Sequence, residues 1–280
     1  MNFQLTEVTP LSYFKSLVET DADFHLLEAA ASIAQDEEPM LDIQEVLDSC
    51  DALLVRLNRR LKGVSEPLKK LSTLNQFFYS ELGFSGNANN FYAPENSYLN
   101  EVLRTRKGIP ISLAVIWLEL AQALDLQAGG VCFPGHFLVK VTVPEGLIVM
   151  DPLTGESMGL ENLSERLSLF RSHLGAAEDM EPPLGLFLQP ATPRDIVTRM
   201  LRNLQEIFKS QEDWQRLIPV LDRLVVLQAD SPSDRRDRGM ALIQAGQPEK
   251  ARLDLQHYLN QVPHAADASA ISRQLDSLQS

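Results

Sequence analysis

Residues 111–121 read Ile-Ser-Leu-Ala-Val-Ile-Trp-Leu-Glu-Leu-Ala, nine apolar side chains in eleven. A helix that is apolar nearly all round has no face to give to water, so it must lie at the centre of its domain with other elements around it. Directly downstream the period changes from helix to strand. Residues 130–133, 137–143 and 147–150 are short and rich in Val, Phe and Ile, with Pro134-Gly135 and Pro144-Glu145-Gly146 between them. Short runs of this composition joined by such turns predict an antiparallel meander. The expected core is an α+β arrangement, one buried helix laid against a small antiparallel sheet.

Upstream the pattern is helical as far as Gly83, with helices expected at 11–18, 22–35, 42–61 and 67–82. The first opens at Thr9-Pro10, a cap residue followed by proline, and Gly and Pro punctuate the breaks at 35–39 and 63–67. Residues 84–100 hold Asn87, Asn89, Asn90, Asn96 and Asn100 with Gly86 and Pro94, which predicts a long loop built on side-chain-to-backbone turns. Its aromatics, Phe91, Tyr92 and Tyr98, predict that this loop packs down.

A helix is expected at 160–174, followed by a proline-rich linker over 181–192 that includes Glu181-Pro182-Pro183-Leu184-Gly185. Beyond it the chain is helical again. Shifting 198–229 by 34 residues brings Leu217 onto Ala251, Leu221 onto Leu255 and Leu224 onto Tyr258, and 34 is the length of a tetratricopeptide helical hairpin. The second copy carries Gly239, Gly246, Ala251, Tyr258 and Pro263 at the small, turn, packing and terminal-proline positions. The first has Gln205, Leu217 and Ala229 where small residues and the proline belong, so an ordinary pair of hairpins with a chance period is the competing reading. The expected organisation is a helical N-terminal region plus α+β core over 1–180, the linker, and a helical tail over 193–280. A length of 280 residues suits two cores.

The formal net charge of -13 argues against nucleic acid, whose binding draws on clustered Lys and Arg. The densest basic run, Arg56, Arg59, Arg60 and Lys62, lies opposite Leu53, Leu54, Leu57 and Leu61, as a solvated helix face would. No apolar run approaches the roughly 20 residues of a membrane helix. Two cysteines, Cys50 and Cys132, without a leader-like N-terminus point to a reducing cytoplasm. The five histidines have no metal-ligand spacing, so neither metal nor cofactor is expected.

Chemistry can be sought at three positions. Ser112 opens the apolar helix, where a hydroxyl can cap orphan N–H groups or, at the same helix end, act as a nucleophile beside an oxyanion site. His136 follows Pro134-Gly135 at a strand start, and Asp151 ends the next strand before Pro152. Across an antiparallel pair the carboxylate can orient the imidazole. Singly, His136 can equally be a backbone-satisfied strand-end histidine and Asp151 a turn former. Cys132 lies four residues before His136, but within an apolar strand it reads as structural, and Cys50 reads as core.

Together these residues resemble the transglutaminase-like superfamily, in which a Cys on the central helix, a His at a strand start and an Asp on the next strand form a papain-like triad. More narrowly, Asn96-Ser97-Tyr98-Leu99-Asn100, Arg106-Lys107-Gly108-Ile109-Pro110-Ile111-Ser112-Leu113, Pro134-Gly135-His136-Phe137 and Asp151-Pro152-Leu153 are similar to the bacterial YchA (SirB) type family. That family couples such a core to a tetratricopeptide-like tail. One departure matters: Ser112 stands at the nucleophile position. A cysteine beside imidazolium readily becomes thiolate, whereas serine needs its proton removed during attack. The resemblance implies a catalytic set Ser112, His136 and Asp151 that has lost its thiol, with cleft-binding candidates Asn96, Asn100, Tyr92, Pro134 and Gly135. The expected function is a non-catalytic, regulatory binding of a protein or peptide by cleft and tail. The alternative is a hydrolase or acyltransferase acting on an amide or ester through Ser112.

Overall fold

The computed structural model describes residues 9–19, 24–174 and 183–278. Helix α1 (Pro10–Val18) starts where Thr9 Oγ1 accepts the Ser12 N–H at 3.2 Å and proline occupies the first turn. Helix α2 (Leu26–Ala31) runs into a 3-10 turn (Ser32–Asp36). Residue 22, the expected start of this helix, lies outside the described residues. Asp42 caps α3 (Ile43–Arg60) by accepting the Gln44 N–H at 2.9 Å. Helix α4 (Pro67–Asn75) continues as a π-type segment (Gln76–Glu81). Then come β1 (Ser85–Gly86), a 3-10 turn (Pro94–Ser97), α5 (Leu99–Thr105), β2 (Lys107–Gly108) and the apolar helix α6 (Pro110–Ala123).

All but three of the fourteen α6 residues are buried, including Trp117 and Ile116, as an all-round apolar helix requires. Against it lies the antiparallel meander β3 (Gln127–Val131), β4 (Leu138–Val143) and β5 (Gly146–Met150), with Val131 opposite Leu138 and Val139 opposite Met150. Strand β3 begins and ends earlier than its apolar run suggests. The Phe133 N–H bonds the Val131 carbonyl at 2.9 Å, a local turn that takes Cys132 and Phe133 out of the ladder. Cys132 is consequently exposed, a correction to its reading as a buried strand residue.

The Asn-rich stretch is more ordered than a plain loop. Strands β1 and β2 pair in parallel, Ser85 with Lys107 and Gly86 with Gly108. Tyr98 is buried as expected, but Tyr92 is 73% exposed and Phe91 43%, so these two aromatics do not pack down. Their rings meet each other edge to face at 5.5 Å. Helix α7 (Leu160–Leu174) follows the sheet. The described part of the proline-rich stretch forms a 3-10 turn (Leu184–Leu188) and joins a core cluster of Val131, Phe133, Leu138, Leu163 and Leu167 through Leu188, Leu184 and Phe187. The Ala191 N–H also donates to the Gly130 carbonyl at 2.8 Å, so this part of the expected linker packs on the sheet.

The tail forms α8 (Pro193–Ser210), α9 (Trp214–Leu227), α10 (Pro232–Gln244), α11 (Pro248–Gln261) and α12 (Ala268–Ser277). Contacts divide the described residues into two compact units, 24–34 with 41–174 and 183–200, and 9–19 with 35–40 and 201–278. The second unit therefore includes α1, which the sequence pattern alone groups with the core region of 1–180. Leu221, Leu224, Ala251, Leu255 and Tyr258 are all inside. A Cβ on Gly239 would lie 2.7 Å from Leu255 Cδ2 and 3.3 Å from the Ala251 carbonyl oxygen, which is why a small residue stands there. Among the described residues no helix is long and apolar enough to cross a membrane.

Candidate functional site

Ser112 sits in the first turn of α6 and is completely buried. Its Oγ accepts the Ile109 N–H at 3.1 Å, closing the helix entry as a capping side chain does. A hydroxyl has one proton to give. Here the shortest acceptor is the Asn96 carbonyl at 2.6 Å, with the Ile109 carbonyl second at 3.1 Å. Gly108 permits this packing, because a Cβ there would fall 2.7 Å from Ser112 Oγ.

His136 ends the turn Phe133-Pro134-Gly135-His136, closed by its own N–H on the Phe133 carbonyl at 3.1 Å. Gly135 takes φ +69, the left-handed conformation that the third place of a proline-led turn demands. The pair Pro134-Gly135 thus acts as a support that delivers the imidazole. The His136 Nε2 lies 3.1 Å from Asp151 Oδ2, so the expected histidine–carboxylate pair forms across the strand ends. Asp151 is also a turn former: Oδ1 accepts the Leu153 N–H at 2.9 Å and its carbonyl accepts the Gly155 N–H at 2.8 Å. Burial by itself would raise this carboxyl. The hydrogen bonds from His136 and Leu153, with the His136 and Arg166 charges, outweigh burial and hold it below the ordinary range. Arg166 of α7 approaches Oδ2 at 3.6 Å.

The structure brings His136 and Asp151 together, whereas the Ser112 hydroxyl, among the described residues, bonds to the backbone of Asn96 and Ile109 and not to the imidazole. The other candidates separate by role. Asn96 is buried and holds the loop, donating to the Asn90 carbonyl at 2.6 Å and accepting from Asn87 at 3.0 Å. Asn100 lies at the start of α5 and lines a pocket with Glu45 and Arg106. Tyr92 projects from the loop. Although Cys132 is exposed by area, enough protein surrounds it to push its thiol pKa up; Arg199 pulls it down and Asp195 adds to the rise. A relocated nucleophile needs the opposite shift.

Three supporting residues escape sequence reasoning. Asn75 accepts the Trp117 indole N–H at 2.9 Å and donates to Met150 Sδ and the Gly155 carbonyl, tying α4 to α6 and to the Asp151 turn. Tyr79 donates to the Pro152 carbonyl at 3.2 Å and covers Gly155, where a Cβ would come within 2.3 Å of the ring. Burial, with the Asp151 charge, raises the Tyr79 phenol well above its ordinary value, so it stays a donor. Arg166 is the third. Asn75 adjoins and Tyr79 lies within a π-type segment, a helix irregularity frequent at functional sites, but nothing in the residue pattern announces it.

The family model of the transglutaminase-like superfamily matches residues 44–202, and that of the tetratricopeptide repeat matches 204–276. A UPF0162 protein of Xylella fastidiosa (strain 9a5c) is 36% identical over 98% of this chain and 97% of its own length. UPF0162 protein PA3419 of Pseudomonas aeruginosa is 29% identical over 84% of this chain and 83% of its own, and UPF0162 protein YchA of Escherichia coli (strain K12) 24% over 86% of each. No solved structure matches.

Proposed function

The chain belongs to the UPF0162 branch of the transglutaminase-like superfamily, and from that premise we propose that it is a non-catalytic, regulatory protein that binds a protein or peptide partner. One observation carries this reading: the Ser112 hydroxyl is wholly buried and donates at 2.6 Å to the Asn96 carbonyl, so its proton is committed to the fold. Attack by serine requires that proton to pass to a base in the transition state, and a hydroxyl serving as helix cap and loop tie has no such path. The partner-binding half rests on the tetratricopeptide match, since stacked helical hairpins of this kind present extended surfaces to other proteins. Two unpaired cysteines accord with a cytoplasmic setting.

A Ser-His-Asp hydrolase or acyltransferase is the second reading, favoured by the 3.1 Å contact between His136 and Asp151, the orienting half of a triad. A fluorophosphonate probe distinguishes the two, because it labels only an activated serine. We expect no labelling of Ser112 in the full chain. Labelling that maps to Ser112 and disappears in His136→Ala overturns the non-catalytic reading and installs the second.

A further inference from the structure

Thirty residues before His136, one guanidinium lacks a counter-charge. Arg106 ends α5 with φ 62, a left-handed backbone that a non-glycine residue seldom adopts and that tends to persist where a site fixes it. Its Cζ lies 4.7 Å from the centroid of the Phe84 ring. Nη1 is sealed from solvent without an acceptor, and among the described residues no carboxylate pairs with this side chain. A partly buried guanidinium is ordinarily paired, since taking it from water without a partner costs free energy. Burial and then the Arg56 charge lower the Arg106 pKa, with only Cys50 acting the other way, so the surroundings leave the cation uncompensated.

The same side chain lines an open pocket of about 230 Å³ between α3 and α5. Glu45, also on the wall, is exposed and forms no side-chain hydrogen bond or ion pair among the described residues. Leu41, Val46 and Leu103 supply the apolar part of the lining. Arg104, the other cation on the wall, is paired with Glu101, so Glu45 and Arg106 are the acid and base that share this pocket without meeting, the two poles a zwitterion or a carboxylate-ended chain would join. Glu45 also disfavours a phosphate, whose double negative charge it would repel.

We propose that this pocket is a binding site for a carboxylate attached to an apolar side chain, with Arg106 as the anchor for the carboxylate and Leu41, Val46 and Leu103 against the side chain. A guanidinium offers N–H groups in parallel pairs that match the two oxygens of a carboxylate, so a ligand in the pocket supplies the counter-charge this side chain lacks. A free apolar amino acid and the carboxyl terminus of a peptide share this chemistry; the amino acid would also place its ammonium near Glu45.

The test is amide chemical-shift mapping on the full chain with N-acetylleucine, N-acetylleucinamide and free leucine at millimolar concentration. We expect both acids to move the amides of Glu45, Ser49 and Arg106 and the amide-capped compound to leave them in place. Arg106→Gln should weaken the acids roughly tenfold or more, the equivalent of one charged hydrogen bond. Leucine binding tighter than N-acetylleucine, with the difference abolished in Glu45→Gln, identifies the free amino acid as the natural class; equal or weaker binding identifies a peptide terminus. Equal shifts from the acid and its amide, or no shift from either acid, overturn the proposal. Should Arg106→Gln not fold, the acid-against-amide comparison on the unaltered protein decides alone.

Discussion

At Ser112 one oxygen serves two purposes, accepting the Ile109 N–H and donating to the Asn96 carbonyl, beside a longer direct bond from the Ile109 N–H to the same carbonyl at 3.3 Å. Removing the hydroxyl leaves that donor and that acceptor only each other. Ser112→Ala should therefore cost about 1 kcal/mol in stability, the net worth of a hydrogen bond, read as a lower urea midpoint, and a variant as stable as the parent would count against the cap. Asp151 makes a second residue-level expectation. Its folded pKa is depressed, so its contribution is present in full above the unfolded value and is lost as pH falls through the folded one. Unfolding followed from neutral pH downward should show stability falling in the acid window below the ordinary aspartate range. His136→Ala, which removes one of the interactions lowering that pKa, should make the acid limb shallower. An unchanged limb would mean that Asp151 is held by its turn alone.

Among the elements, α10 and α11 show best how the tail is joined. Gly239 lets α10 close onto Leu255 and the Ala251 backbone, and Gly246 with φ +71 makes the turn between the two helices. Arg238 then spans three helices, bonding Asp254 of α11 at 2.6 and 2.7 Å and Asp222 of α9 at 2.8 Å. The hydrogen bond to Asp254, more than the two aspartate charges, raises its already high pKa. In the degenerate first copy, Gln205 fills the place of the small residue and reaches Asp237 of α10 at 3.2 Å, so a polar link replaces close packing. Ala251 is completely buried in this seam. Ala251→Leu should overpack it at a cost of roughly 1 to 3 kcal/mol, seen as a lower melting temperature. A melting curve that does not move would mean that the seam is looser than its contacts suggest.

Over the whole molecule, the second unit is assembled from pieces distant in sequence. Phe14 of α1 is wholly buried beneath the Arg223 guanidinium, which lies 4.8 Å from the ring centroid. Arg223 of α9, itself without solvent exposure, bonds Asp36 bidentately at 2.6 and 2.8 Å, and Arg216 reaches Glu37 at 2.8 Å. The N-terminal helix and the 35–40 segment thus close one end of the helical stack, the covering a solenoid end needs. A buried ion pair that loses one partner leaves an uncompensated charge, so Arg223→Met should cost about 3 to 5 kcal/mol. Chemical denaturation of the full chain measures this. A change under 1 kcal/mol, on the order of an exposed pair, would mean that Asp36 finds water instead.

How much of this could be read without a fold follows from the range of the forces involved. The burial of α6, the meander after it and the closely packed helices at Gly239 and Ala251 are written in local periodicity and in single small residues, because burial of a whole helix surface and approach of two backbones leave few choices of side chain. The pairing of His136 with Asp151 was legible too, since an antiparallel ladder fixes which strand ends meet. Where the Ser112 proton goes was not: Asn96 is sixteen residues away and offers a backbone carbonyl, a group every residue carries. The same holds for Asn75 and Tyr79 at the Asp151 turn, and for α1 joining the C-terminal unit through Arg223. These contacts depend on where distant segments come to rest, and a sequence pattern records the period of an element but not the neighbour it meets.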